Sequence, residues 1–80
     1  MNRGIQFLIK LIEKEETRCC GLTTLAKLVE ICFSLILSKC DEKILLELKE
    51  TLLRIKKEEE VKKSYLFSFD IFYIQNHLKF

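Results

Sequence analysis

Between Asp41 and Lys63, Leu45, Leu48, Leu52 and Ile55 recur at steps of three and four residues, and Ile44, Leu46 and Leu53 widen the stripe. Charged residues fill most of the remaining positions, the pattern of an amphipathic helix that lays one face against something. Asp41 is placed as its N-cap, and Glu42 sits in the first turn, where the helix dipole favours negative charge. The helix runs on into Lys56-Lys57-Glu58-Glu59-Glu60-Val61-Lys62-Lys63. Glu58 with Lys62 and Glu59 with Lys63 are favourably oriented four-residue pairs, each worth only about 0.2–0.5 kcal/mol. The block reads as a solvated continuation of the helix, and its mixed signs argue against an interaction tail.

Upstream, Ile5, Leu8 and Ile12, flanked by Phe7, Ile9 and Leu11, predict a first helix from about Gly4 to Arg18. Cys19-Cys20-Gly21 follows; Gly21 suits the left-handed position that closes a helix, and Thr23 or Thr24 suits the cap of the next. The second helix, about Thr24 to Lys39, has its polar residues Lys27, Glu30, Ser34 and Ser38 on one narrow strip. Leu25, Leu28, Val29, Ile31, Cys32, Phe33, Leu35, Ile36 and Leu37 fill the rest. A helix apolar around most of its circumference is buried on most sides. Three other short helices in one chain can hardly cover it, which predicts a homodimer or higher assembly. A break near Cys40 separates it from the third helix without glycine or proline; one continuous helix is the alternative.

The last sixteen residues carry six of the eight aromatic side chains: Tyr65, Phe67, Phe69, Phe72, Tyr73 and Phe80. Ser64, Ser68 and Asp70 alternate with Tyr65, Phe67, Phe69 and Ile71 at a strand period, yet Phe67, Ile71, Ile74 and Leu78 fit a helix face. No other segment offers a strand partner, and an isolated strand is unstable. The pattern predicts a bend over 64–69 and a short helix capped by Asp70. A strand pairing with its own copy across a dimer axis is the alternative.

Composition narrows the class. Eighty residues make one domain, 1–80, small enough that stability usually needs a staple, a metal or a partner subunit. There is no proline, and Gly4 and Gly21 are the two glycines, which disfavours a many-stranded sheet and favours a few helices. The net charge of +2 provides no electrostatic case for nucleic acid. Arg3 precedes a short apolar run broken by Gln6 and Lys10 and followed by Glu13, Glu15 and Glu16, with no small-residue cleavage site, so a secretory signal is not expected. The most hydrophobic stretch, Leu22 to Leu37, contains Lys27 and Glu30 and falls short of the roughly 20 apolar residues of a spanning helix. It reads as a core helix, with no transmembrane span.

Candidate chemistry is sparse. The four cysteines, Cys19, Cys20, Cys32 and Cys40, lack the spacing of a zinc site. Cys32 reads as a small core residue, whereas Cys19, Cys20 and Cys40 sit near helix ends and are expected to be more exposed. Free thiols in a reducing cytoplasmic setting are the default, an intermolecular bridge the alternative. His77, the one histidine, lies at a terminus that holds poor catalytic geometry. Asp70 among aromatics is read as a cap. Two glycines cannot build a phosphate-binding loop. No catalytic, cofactor or metal residue is assigned.

Helix 1, the Gly21 turn and Thr23-Thr24-Leu25-Ala26-Lys27-Leu28 loosely have the form of a helix-turn-helix, but the following helix is too apolar for a recognition face. Lys56, Lys57, Lys62 and Lys63 are the candidate phosphate contacts. The expectation is an all-α bundle of three longer helices and a short aromatic-rich C-terminal one, completed by oligomerisation. Its expected role is non-enzymatic: an adaptor, assembly factor or small regulator that binds an unidentified protein partner. Leu28, Cys32, Leu35, Leu45, Leu48, Leu52 and Ile55 would make the core or subunit seam. Phe67, Phe69, Phe72 and Tyr73 would complete it or dock the partner. A DNA-binding regulator and a peripheral membrane protein, the latter using Tyr65 to Ile74 with Lys62, Lys63 and Lys79, are the alternative classes.

Overall fold

Four runs of apolar residues at helical spacing meet in one core. The computed structural model describes residues 2–80 and consists of α1 (Asn2–Glu13), α2 (Glu15–Lys39), α3 (Glu42–Lys62) and α4 (Ser68–Leu78). Each helix sends one stripe inward: Ile5, Leu8, Ile9 and Ile12; Leu22, Leu25, Val29 and Ile36; Ile44, Leu48, Leu52 and Ile55; and Ile71, Ile74 and Leu78. The steps of three and four are those of an α-helical face, so the chain is a small all-α bundle. α1 packs on α2 and α3, and α4 packs on the same two helices. At about 1.5 Å per residue the 25-residue α2 is long enough to span the 35 Å long dimension of the bundle.

The first interhelical break lies at Lys14, not at Gly21. Lys14 adopts extended φ/ψ, and α1 ends at Glu13. Two side chains from the first turn of α2 fold back over that end. Thr17 Oγ1 donates to the Leu11 carbonyl at 2.6 Å, and Arg18 Nε donates to the Ile12 carbonyl at 2.7 Å. These carbonyls have no partner within α1, so the next helix closes the previous one. Gly21 lies inside α2 with no left-handed φ, and Thr23 and Thr24 lie in mid-helix. A Cβ on Gly21 would stand 2.9 Å from Ile12 Cγ1 and 3.0 Å from Leu11 Cβ. The glycine therefore lets α1 and α2 approach closely. With no turn at Gly21, the helix-turn-helix form is absent.

α1 consequently has 12 residues, close to the 11 of α4, and the bundle has two long and two short helices. The break at Cys40 is present, and α3 begins after Asp41. Asp41 occupies the N-cap without a side-chain cap bond. Its Oδ2 accepts from Asn2 Nδ2 at 3.1 Å while its N–H donates to Asn2 Oδ1 at 3.0 Å, which ties the start of α1 to the α2–α3 junction.

No strand occurs among the described residues, so the cross-axis strand over 64–74 is excluded for this chain. Burial of Ile71, Ile74 and Leu78 at helical steps outweighs the alternation of the aromatics. α4 starts two residues before Asp70, which lies in its first turn, and the N-cap position is Phe67. α3 and α4 both end on a lysine in the left-handed region, Lys63 at φ 54° and Lys79 at φ 58°. Ser64 N–H then reaches back to the Glu59 carbonyl and Phe80 N–H to that of Gln75. This is the six-to-one closure usually given to glycine.

Candidate functional site

The candidate sites are surfaces and the clefts between helices. Along α2, the inward stripe leaves a gap between Val29 and Ile36 in which no residue is buried. At its centre Cys32 departs from helical geometry (φ −146°, ψ 45°), and its thiol lies 3.2 Å from the Leu28 carbonyl. A side chain bonded into the helical ladder at a non-helical residue marks a kink. Around and beyond it Ile31, Phe33, Leu35 and Leu37 are exposed, Ile31 at 80%. Phe33 keeps one edge contact, with the His77 ring at 6.1 Å. α2 is also long and apolar enough, by length and composition, to cross a bilayer, with mean hydropathy 1.8 over its most apolar 18-residue window.

A second surface belongs to α3 and α4. Tyr65 and Leu66 in the connection, with Phe69 and Phe72 in α4, are exposed, Phe69 at 78% and Phe72 at 66%. Lys56 and Phe72 share an open cleft of about 360 Å³ with Phe69, and another of about 380 Å³ with Lys79 and Phe80.

Between the end of α3 and the start of α2 lies a third feature, a cleft of about 270 Å³ lined by Arg18, Glu59, Ser64 and Phe67 among others. Glu59 falls in the block that reads as solvated from sequence, yet it is only 8% exposed. Its Oε2 accepts the Phe67 backbone N–H at 2.9 Å, while Oε1 is buried without a partner. The expected four-residue ion pairs give way to cross-helix ones: Glu58 lies 3.7 Å from Arg18, and Lys62 lies 3.8 Å from Glu15.

The residues picked out by sequence divide three ways. Leu48, Leu52 and Ile55 are fully buried in the chain's own core. Leu28, Leu45, Phe67 and Tyr73 pack against that core from its edge, and Cys32 is half-buried at the kink. Leu35, Phe69 and Phe72 are exposed. Sequence reasoning passed over Glu59 and Arg18, because each stands in a charge run whose average reading is solvent.

Cys19 and Cys20 are exposed, but on the body of α2 and not at a helix end. Cys40 is buried, contrary to the expectation from its place at a helix end, because the Cys40–Asp41 turn folds onto the core. Burial pushes its thiol above the ordinary value of 9.0, and Asp41 adds to the rise. Among the described residues no three of His, Cys, Asp and Glu converge as metal ligands. His77 Nδ1 lies 3.0 Å from the Tyr73 carbonyl, and its ring packs on Tyr73 at 4.2 Å. Compared with family models, with curated proteins and with solved structures, the chain matches none.

Proposed function

We propose that this protein is a non-enzymatic interaction module, an adaptor, assembly factor or small regulator, that works as a homo-oligomeric helical bundle. The observation that carries the reading is the outer side of α2, where Ile31 and Leu35, one turn apart and opposite the buried stripe, stand exposed at 80% and 48% beside a kink while the other side of the same helix builds the core. Large apolar side chains gathered on one element of a small domain mark an association surface. Full burial of such a side chain against a partner is worth about 1.5–3 kcal/mol, set against about 4–15 kcal/mol of freedom lost on association, so the contributions of both copies are needed together.

The reading is tested by mixing tagged and untagged copies in the presence of reductant, then recovering the tag. Untagged chain should come down with tagged chain, and should no longer do so when Ile31 and Leu35 are both changed to serine. Recovery of tagged chain alone would remove the homo-oligomeric part of the proposal.

A further inference from the structure

The α3–α4 face combines two properties that the α2 face lacks: its protruding apolar groups are mostly aromatic, and the two clefts beside Phe72 are lined by lysine and by no acidic side chain. Phe69 and Phe72 project from the outer side of α4, and Tyr65 and Leu66 project from the turn before it. Both open clefts beside them contain Lys56, and the further one also contains Lys79; neither is lined by an acidic side chain. On its other side Phe69 borders the cleft between α2 and α4, where Asp70 and Glu30 stand with Lys27, so the one-signed charge is confined to the side of Phe72. Glu60, one turn along α3 from Lys56, lines neither cleft.

We propose that this face docks on a lipid surface carrying anionic headgroups, with Phe69 and Phe72 entering the boundary between headgroups and acyl chains and Lys56 and Lys79 lying against phosphates. Aromatic side chains suit that boundary, and a lysine reaches a headgroup while its stem covers apolar surface. The clefts are open and the aromatics stand out from them. A protein partner would need matching holes, whereas a fluid bilayer accepts protruding groups of any outline. Docking leaves the fold intact, because Ile71, Ile74 and Leu78 on the opposite side of α4 stay in the core. It differs from a crossing by α2, which would pull Leu22, Leu25, Val29 and Ile36 out of the bundle.

The test is co-sedimentation of the full chain with phosphatidylcholine vesicles, with and without phosphatidylserine. Binding should appear with phosphatidylserine and weaken with salt. Phe69→Ser with Phe72→Ser should lower the partition coefficient about tenfold or more. Changing Lys56 and Lys79 to glutamine should lower it about fivefold per lysine. Both variants should keep wild-type helicity by circular dichroism, since all four side chains are exposed. Absence of wild-type binding, or binding that ignores both variants, would overturn the proposal. So would retention on the vesicles through alkaline carbonate extraction, which would indicate a spanning helix, or binding to soluble polyglutamate but not to vesicles.

Discussion

Glu59 Oε2 accepts the backbone N–H of Phe67 at 2.9 Å, so a carboxylate near the end of α3 caps the start of α4 across the turn between them. Helix N-terminal N–H groups lack partners within their own helix and favour negative charge, so one acceptor both satisfies a donor and complements the dipole. Glu59→Ala should destabilise the bundle by about 1–2 kcal/mol in urea unfolding. Glu59→Gln keeps an acceptor for Phe67 and should lose less than half of that. Equal losses for the two variants would show that packing of the side chain, not the cap, is what matters.

The two glycines should respond with opposite signs. Gly4 is exposed in α1, with no atom within 4 Å of an added Cβ, so Gly4→Ala should stabilise by about 0.5–1 kcal/mol through helix propensity. Gly21→Ala forces α1 and α2 apart at Ile12 and Leu11, and should destabilise by about 1–3 kcal/mol. Thermal melts of the two variants report this directly, and a stabilised Gly21→Ala would refute the close approach.

Arg18 has only 12% of its side chain exposed, and besides the Ile12 carbonyl it reaches that of Glu13 at 3.2 Å. Its pair with the half-exposed Glu58 is screened by solvent and contributes little. The cap on α1 is the larger effect. Arg18→Ala should cost about 1.5–3 kcal/mol, and Arg18→Lys should recover little, because an ammonium cannot present two donors in a fixed fork. Glu58→Ala should be nearly neutral by the same unfolding assay. A large loss at Glu58 would reassign the role of Arg18 to the ion pair.

Cys40 gives a signature in alkali. Because burial raises its pKa in the folded chain, the folded state holds this proton more tightly than the unfolded state does. The resulting stability is complete below the ordinary thiol value and is lost as pH rises through the folded one. Comparing urea midpoints at mildly alkaline and strongly alkaline pH, Cys40→Ala should show a smaller fall than wild type. In native protein at constant pH, Cys19 and Cys20 should react with a thiol reagent well before Cys40. Equal rates would contradict the burial of Cys40.

The bundle class was legible because periodicity reports burial directly: Ile5, Leu8 and Ile12, then Leu48, Leu52 and Ile55, are core residues at the spacing that predicts them. The boundaries were less legible because this chain does not use glycine to end its helices. Lys63 and Lys79 take the left-handed positions, Thr17 and Arg18 close α1, and Gly21 serves packing instead. At the start of α3 the buried position is Ile44 and not the predicted Leu45, which is half-buried, while Leu46 is exposed. A run of three apolar residues leaves that phase undetermined until the opposing helices are placed. Glu59 was hidden for a different reason: its partner is a backbone N–H eight residues away, and no side-chain pattern marks it.

The central claim, that α2 carries a self-association face, is tested most directly by the solution mass of wild type and of Ile31→Ser with Leu35→Ser, measured by light scattering after size exclusion in reductant. The chain mass is 9.5 kDa. Wild type should weigh at least twice that, and the double variant should weigh a single chain while keeping its helicity, since both side chains are exposed in the isolated bundle. A wild type at one chain mass across the accessible concentration range, or a variant as large as wild type, would contradict the claim.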